Sequence, residues 1–555
     1  MRARIAGCIT GIGGLLTMAW LMVGSEAKRV PAADDAKQQA KDLFKTAKAW
    51  KIHLDLSAAE YRAMQPAPPA FPGSPPKAKD KKDKRPTQPN RFGMAFPWVE
   101  GNITADGTTL KKVGIRYAGD ITYFVSTRGL KRPMTIQFDK FTDQRLHGLA
   151  SVQLHAMPLD PSKAREALAF AVFRAAGVPA QRTAFTEVTL TVPGKYDKEY
   201  LGLYTVVESV GKQFRADRFG DDAGLLMTPF FMRGLDFLGD DWSRYKGPYS
   251  PQREATKDEA TRVIDFARLV NQAGDAEFNK RIDSFLDVDA FLRFLAANAL
   301  TANTESFFAL GHNYHLYLHP KTNKFHFIPA DLEFSCANFL LMGSPDQLMD
   351  LSLRKPYPGA NKLPDRLLAI KEVNAKYHNL LKELSATAFS KKKLLQELDA
   401  IGIATKDIRA KEAKAVAARK EPPPGFGGPA GFGPKPPDLP TFVQKRSESI
   451  AAQLEGKRKG YVPQPIAFGP PKGGAFGKGK VGPINEKTFR ALVQVPSEFE
   501  ATLFAAPPRL NYPVAIAAAP DGTIYVAIDE QGSLGRTPGG GRILRCVDRK
   551  GDRKS

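Results

Sequence analysis

Two hydrophobic periods alternate along the chain, most densely between residues 92 and 400. KKVGIRYAG and MTIQFDKF place apolar side chains at every second position, the pattern of a half-buried strand. SKAREALAFAVFRAAG repeats its apolar residues at helical spacing and ends at Gly177 ahead of Val-Pro, so it predicts an amphipathic helix. TAFTEVTLTV and EYLGLYTVVESV return to period two on either side of the turn-rich PGKYDK. DVDAFLRFLAANALTAN predicts another helix, with Asp287 or Asp289 near its N-cap. Two aromatic-apolar runs, NYHLYLH and KFHFIPADLE, then flank HPKTN and predict a hairpin, and residues 364–418 predict one or two charged helices. This order of strands, helix, strands, helices and hairpin is that of an α+β domain.

The pattern weakens outside that stretch. DDAKQQAKDLFKTAKAW is helical in character and KIHLDLS strand-like. Residues 66–91, rich in proline and lysine, predict a solvated insertion. EPPPGFGGPAGFGPKPPDLP and VPQPIAFGPPKGGAFGKGKVGPIN cannot build a core, and the TFVQKRSESIAAQLEGKRKG between them predicts a single helix. The expected domain therefore spans 45–400, followed by a helix and linkers over 401–490. From 496 to 555 short strands and an Asp-Gly turn read like one partial β-propeller blade.

A chain of 555 residues exceeds one core, and 43% hydrophobic content suffices to bury several. The net charge of +23 gathers in runs such as KAKDKKDKR at 77–85, KKK at 391–393 and KRKG at 457–460. Such blocks solvate linkers or meet anionic partners, here anionic envelope polymers. No finger spacing or RNP-type aromatic stretch accompanies them, so no nucleic acid is expected. MRARIAGCITGIGGLLTMAWLMVGSEA has the two arginines, apolar stretch and small residues of a secretory signal peptide over 1–27. That predicts a secreted, periplasmic or cell-envelope protein. An uncleaved anchor is the alternative, because Ile5 to Gly24 almost reaches spanning length. Past the signal only Cys336 and Cys546 remain, which predicts neither a disulfide framework nor a cysteine metal site.

Carboxylates frame the predicted hairpin. Glu305 stands upstream in TANTES, and Asp331 and Glu333 downstream in IPADLE. His312, His315, His319 and His326 crowd the same region and offer imidazoles to a transition metal. Strand parity sets His315 and His319 on one face, and His315 could pair across the hairpin with His326.

Five blocks together carry a resemblance. GIRYAGDITYFVSTRGLKRPMTIQFDKF, PLDPSKAREALAFAVFRAAGVPAQRTAFTEVTLTVPG, YLGLYTVVESV, FLDVDAFLRFLAANALTANTES and GHNYHLYLHPKTNKFHFIPADLE resemble, in order and spacing, the CotH (spore-coat protein H) kinase family. The resemblance covers about residues 45–400. It implies a divergent protein-kinase-like fold and an atypical secreted kinase that uses ATP with Mg²⁺ or Mn²⁺ on an extracytoplasmic protein. The tail from 496 resembles the first propeller blade of bacterial membrane-bound dehydrogenase and haem-binding proteins. Their CxxCH haem site is absent, and no haem function is expected.

Phosphoryl transfer needs a cation at the phosphates, carboxylates for the metal and a group that orients the acceptor hydroxyl. The resemblance assigns Lys131, at the start of MTIQFDK, to the phosphates. Strand-end lysines are also commonly solvated. It assigns Glu166 to pairing with that lysine, where a first-turn glutamate also suits the helix dipole. Glu208 falls where a hinge would touch adenine, or is a plain strand-end acid. A GNxD-like step in the family ends in the catalytic acid. Here Ala302-Asn303-Thr304-Glu305 matches it, with the glycine replaced and the acid one methylene longer. Asn313 is a metal ligand or a backbone partner at the strand start. The family's IPWDxD step is Ile328-Pro329-Ala330-Asp331-Leu332-Glu333, which makes Asp331 the metal-holding acid. Its alternative is a cap for a following helix. Misplacing a catalytic group by about 1 Å can cost on the order of 10²-fold in rate. The Glu305 and Glu333 replacements therefore raise a second expectation, a catalytically impaired kinase-fold binding protein of the cell envelope.

Overall fold

Strand β1 (Ala49–Asp55) buries Trp50, Ile52 and Leu54 and turns the residues between them outward. The same alternation recurs in β4 (Val99–Ala105), β6 (Met134–Gln137) and β7 (Ser151–His155), whereas β5 (Thr108–Tyr117), β8 (Thr183–Val192) and β9 (Tyr196–Glu208) each include a stretch buried on both faces; all seven strands turn one face to a shared interior. β2 (Thr87–Pro89) and β3 (Ala95–Pro97) form a separate hairpin. The seven strands close into a barrel in the order β1-β4-β5-β6-β7-β9-β8. Every neighbouring pair is antiparallel except the closing one, in which β1 lies parallel to β8 from Ala49 opposite Phe185 to Asp55 opposite Thr191. Gly101 permits the packing inside. A Cβ there would stand 2.7 Å from Leu56 Cδ2 and 2.8 Å from Ile115 Cδ1.

The computed structural model describes residues 43–45, 48–66, 85–424, 435–465, 502–504, 513–529 and 541–548. The expected signal peptide and most of the 66–91 insertion lie outside the described residues, as do residues 425–434 and 466–501.

The outer faces of β8 and β9 present Phe185, Leu203 and Val207 to a second, larger core. The helix Arg165–Ala175 fills the space between barrel and helices and is buried nearly all round. A three-stranded sheet of β10 (Leu225–Met227), β11 (Tyr314–Leu318) and β12 (Phe325–Pro329) follows, covered by the helices Lys257–Gln272, Asp275–Phe285 and Val288–Leu300. Asp287 caps the last of these by accepting the Ala290 N–H at 3.0 Å. Phe291, Phe294, Phe307, Tyr314 and Phe327 fit their rings together beneath the hairpin, with centroids 4.7–6.5 Å apart.

This core does not end at residue 400. Ile401 and Ile408 of the helix Lys391–Ala418, and Leu439, Phe442, Val443 and Ile450 of the helix Leu439–Leu454, belong to it. Arg446 is fully buried and donates to the carbonyls of Ala299, Leu300, Met349 and Leu351. The proline- and glycine-rich composition after 420 hid this continuation, because it marks a loop and a domain exit equally well. The tail forms a three-stranded antiparallel sheet of Pro513–Ala518, Ile524–Asp529 and Gly541–Cys546, with Gly522 at φ +79° in the Asp-Gly turn. Cys336 and Cys546 are both free thiols.

Candidate active site

The helix Val288–Leu300 ends in a tight turn that aims Glu305. Asn303 N–H donates to Asn298 O at 2.9 Å, and its side-chain amide donates to Asn298 Oδ1 at 2.9 Å. Cys336 N–H, from the loop after β12, donates to Thr301 O at 2.8 Å and ties the two segments together. Ala302 sits at φ +46°, the left-handed conformation that the glycine of the family motif would adopt freely.

The hairpin brings its acids to one end. Tyr314 pairs with Pro329, so Asn313 and Ala330 face each other just past the ladder, and Ala330 N–H donates to Asn313 O at 3.0 Å. Asn313 and Asp331 both adopt left-handed conformations, at φ +57° and +47°, which turn the chain out of the sheet on each side. Asn313 Nδ2 lies 3.2 Å from Glu305 O and 3.2 Å from Glu305 Oε2. His312 Nε2 stands 3.5 Å from Glu305 Oε1. Burial, reinforced by the Arg91 charge, pulls that imidazole down to about 4 and keeps it neutral.

From the opposite side comes the first turn of Arg165–Ala175. Asp160 accepts the Ala164 and Arg165 N–H groups at 2.9 Å each and pairs with the buried Arg165 guanidinium at 2.6 Å, doing the work of a missing N-cap side chain. Glu166 is thereby fixed, 1% exposed, with both carboxylate oxygens 2.9 Å from His155 Nδ1. His155 is the last residue of β7 and is a quarter exposed. Burial opposes its charge, but Glu166, with Asp331 and Glu333 behind it, prevails and holds the imidazole up at about 9. Glu333 accepts the Leu159 N–H at 2.6 Å and so clamps the hairpin loop to the chain between β7 and the helix.

Glu166, Glu305, Asp331 and Glu333 thus share one electrostatic neighbourhood. Burial first and the charge of Asp331 second push Glu305 well above the carboxylate range. Asp331 is raised by burial and by Glu166, with His155 opposing. Glu333 is raised well above its usual range by burial and Asp331, with Lys163 opposing. Such a set is short of positive charge, and all-oxygen donors suit a hard divalent ion. Among the described residues no three His, Cys, Asp or Glu groups converge closely enough to hold a metal ion alone. Mg²⁺ needs only one or two protein carboxylates when phosphates and water supply its other oxygens, and Asp331 and Glu333 are oxygen donors at this end of the hairpin.

Two sequence-derived positions have other partners. Lys131 donates to Glu412 of the helix Lys391–Ala418 at 2.8 Å, not to Glu166, and burial pulls its ammonium down to about 8. Glu412 also accepts the Leu203 N–H at 2.7 Å, which Gly202 allows, since a Cβ there would stand 2.5 Å from the Glu412 carboxyl carbon. Lys131, Lys163, Glu412 and Pro158 line a cavity of ≈ 70 Å³. Glu208 meets Arg182 at 2.6 Å and Arg218 at 3.4 Å. It lies opposite Val152, whereas His155 lies opposite Thr205, so Glu208 occupies the other end of the β7–β9 ladder. Of the histidines, His319 and His326 keep their rings 6.1 Å apart, but among the described residues no metal-holding group forms. His326 pairs with Tyr317 rather than His315, and the His315 ring bonds Thr228 Oγ1 at 2.9 Å. His155 escaped the sequence reading because SVQLH is short, although it immediately precedes the helix that bears Glu166.

A family model described as CotH kinase protein matches residues 115–450, more than half of the chain. Inner spore coat protein H of Bacillus subtilis (strain 168) is 24% identical over 253 residues, 45% of this chain and 66% of that protein's length. Among solved structures, the Helicobacter pylori proinflammatory kinase CtkA aligns over 52% of this chain and 92% of its own, at 10% identity and a TM-score of 0.22. A chain from the Shewanella oneidensis MR-1 complex of toxin–antitoxin HipA, HipB and operator DNA aligns over 55% of this chain and 57% of its own, at 14% identity and a TM-score of 0.21. Superpositions that loose place no individual residue.

Proposed function

Because the chain belongs to the CotH kinase protein family, we propose that it is a secreted protein kinase that moves the γ-phosphoryl group of ATP to a hydroxyl of an extracytoplasmic protein. The carrying observation is the meeting of Glu166, Glu305, Asn313, Asp331 and Glu333 around the open end of one hairpin. In this reading Asp331 and Glu333, with Asn313 beside them, would hold Mg²⁺ or Mn²⁺. When bound, the ion would supply charge neutralisation for the transferring phosphoryl group. Glu305 orients the acceptor hydroxyl and takes its proton as the oxygen–phosphorus bond forms and ADP departs. Its raised proton affinity makes it a stronger base once ionised. Lys131 lies within electrostatic reach of Glu333, although its ammonium is bonded to Glu412. The spore-coat name of the Bacillus relative supports an exported coat or envelope protein as the substrate.

The test is transfer from γ-labelled ATP by the full chain with Mg²⁺ or Mn²⁺. Asp331→Ala is expected to abolish transfer, and Glu305→Asp to raise it by shortening the reach. Nucleotide binding with no transfer in either wild type or Glu305→Asp would sink the kinase reading. That outcome would favour the second reading, a kinase-fold binding protein of the envelope. The commitment of the Glu333 carboxylate to Leu159 N–H, which leaves it less free for a metal, speaks for this alternative.

A further inference from the structure

In kinases generally a strand lysine, salt-bridged to a helix glutamate, carries the positive charge that faces the nucleotide phosphates. Here the strand directly before the glutamate-bearing helix ends in His155, and it is His155 that Glu166 holds. We propose that His155 supplies this phosphate-facing cation, as a fixed imidazolium positioned by Glu166. The inference rests on the kinase reading above and deepens it.

Three observations carry it. Both ring nitrogens face acceptors: Nδ1 is 2.9 Å from each Glu166 oxygen, and Nε2 is 3.0 Å from Gln153 Oε1. A neutral imidazole has one N–H, so with the Gln153 amide oxygen turned toward the ring, donating to both partners takes the doubly protonated form. Burial is asymmetric, because Glu166 is 1% exposed while the His155 side chain is 25% exposed. His155 is therefore the more exposed member of the pair, and on this proposal an incoming phosphate oxygen would replace Gln153 Oε1 at its Nε2. Asp331 and Glu333 both lie within electrostatic reach of His155, so the cation and the proposed metal-holding acids feel one another's charge. Lys131 lacks this arrangement, since its ammonium is bonded to Glu412 and sits under the Lys391–Ala418 helix.

Calorimetric titration of the full chain with MgATP and with AMP tests this. His155→Ala is expected to weaken MgATP binding roughly 10- to 100-fold while leaving AMP binding within about twofold, because only the β- and γ-phosphates lose a charge-assisted bond. His155→Lys is expected to restore most of the loss. The wild type offers an independent readout if the alanine variant fails to fold. With ¹⁵N-labelled histidine, the ring signals missing from His155→Lys should shift on adding MgATP and not on adding AMP. MgATP affinity unchanged in His155→Ala, or ring signals unmoved by MgATP, overturns this inference and leaves the kinase reading standing. A wild type that binds no nucleotide overturns both.

Discussion

Ala302 shows how single residues set this site. It keeps a backbone conformation that costs an L-residue about 1–2 kcal/mol, so the turn that aims Glu305 is maintained by its hydrogen bonds against local strain. The crowded acids have a similar character. Glu305, Asp331 and Glu333 all bind protons more tightly in the fold than in an unfolded chain, so their contribution is most favourable at low pH and fades as pH rises past the ordinary carboxylate range. His155 has the same sign. Its pairing with Glu166 contributes fully below about 6.5 and is lost as pH climbs through about 9. A divalent cation that neutralises the acids should therefore raise the melting temperature more at pH 8 than at pH 5.5, and Asp331→Asn should remove most of that difference. Scanning calorimetry with and without Mg²⁺ checks this, and an equal shift at both pH values contradicts it. Much of this cluster was legible in the sequence because the acids lie at fixed offsets from a readable hairpin. The partners were not. Lys131 and Glu412 are 281 positions apart, a distance over which no local pattern speaks.

At the scale of elements, the legible pieces were runs with a clear period or a readable turn beside them. The helices Arg165–Ala175 and Val288–Leu300 and the strands β5, β8, β9, β11 and β12 stand where alternation put them. β7 and the β2–β3 hairpin did not show, whereas β11 and β12, no longer than β7, were marked by the HPKTN turn between them. The helices Lys257–Gln272 and Asp275–Phe285 were not anticipated either, although Thr256-Lys257-Asp258-Glu259 spells a capping box that the structure confirms on both sides. The helix Leu439–Leu454 was legible as a helix and not as part of the core, because proline- and glycine-rich chain precedes and follows it and one of its buried anchors, Arg446, is polar. Arg446 draws four carbonyls toward one guanidinium at the foot of the helix that leads to Glu305. Arg446→Leu strands those carbonyls in the interior and should lower stability by on the order of 3–5 kcal/mol. A lower urea midpoint with an unchanged slope would show it.

For the whole molecule, the two cores lie on opposite faces of β8 and β9, and the larger is finished by chain that follows residue 400. A protein ending at 400 would expose the surfaces that Ile401, Ile408, Phe442 and Val443 cover. It is expected to melt well below the full chain or to aggregate, whereas one ending at 465 should melt within a few degrees of it. Thermal denaturation of the two truncations decides. The parallel seam of the barrel has a further consequence, in time. Trp50 and Thr186, which meet across it, are 136 positions apart. At synthesis rates of about 5–20 residues per second, β1 waits roughly 7–30 s for β8 to appear, while the antiparallel run from β4 to β7 can already have paired. Throughout that wait its backbone is an open edge, guarded by the outward Lys51, His53 and Asp55. Ring closure is thus expected to be the last and slowest step in building this lobe, and the interval in which a chaperone has most to offer it.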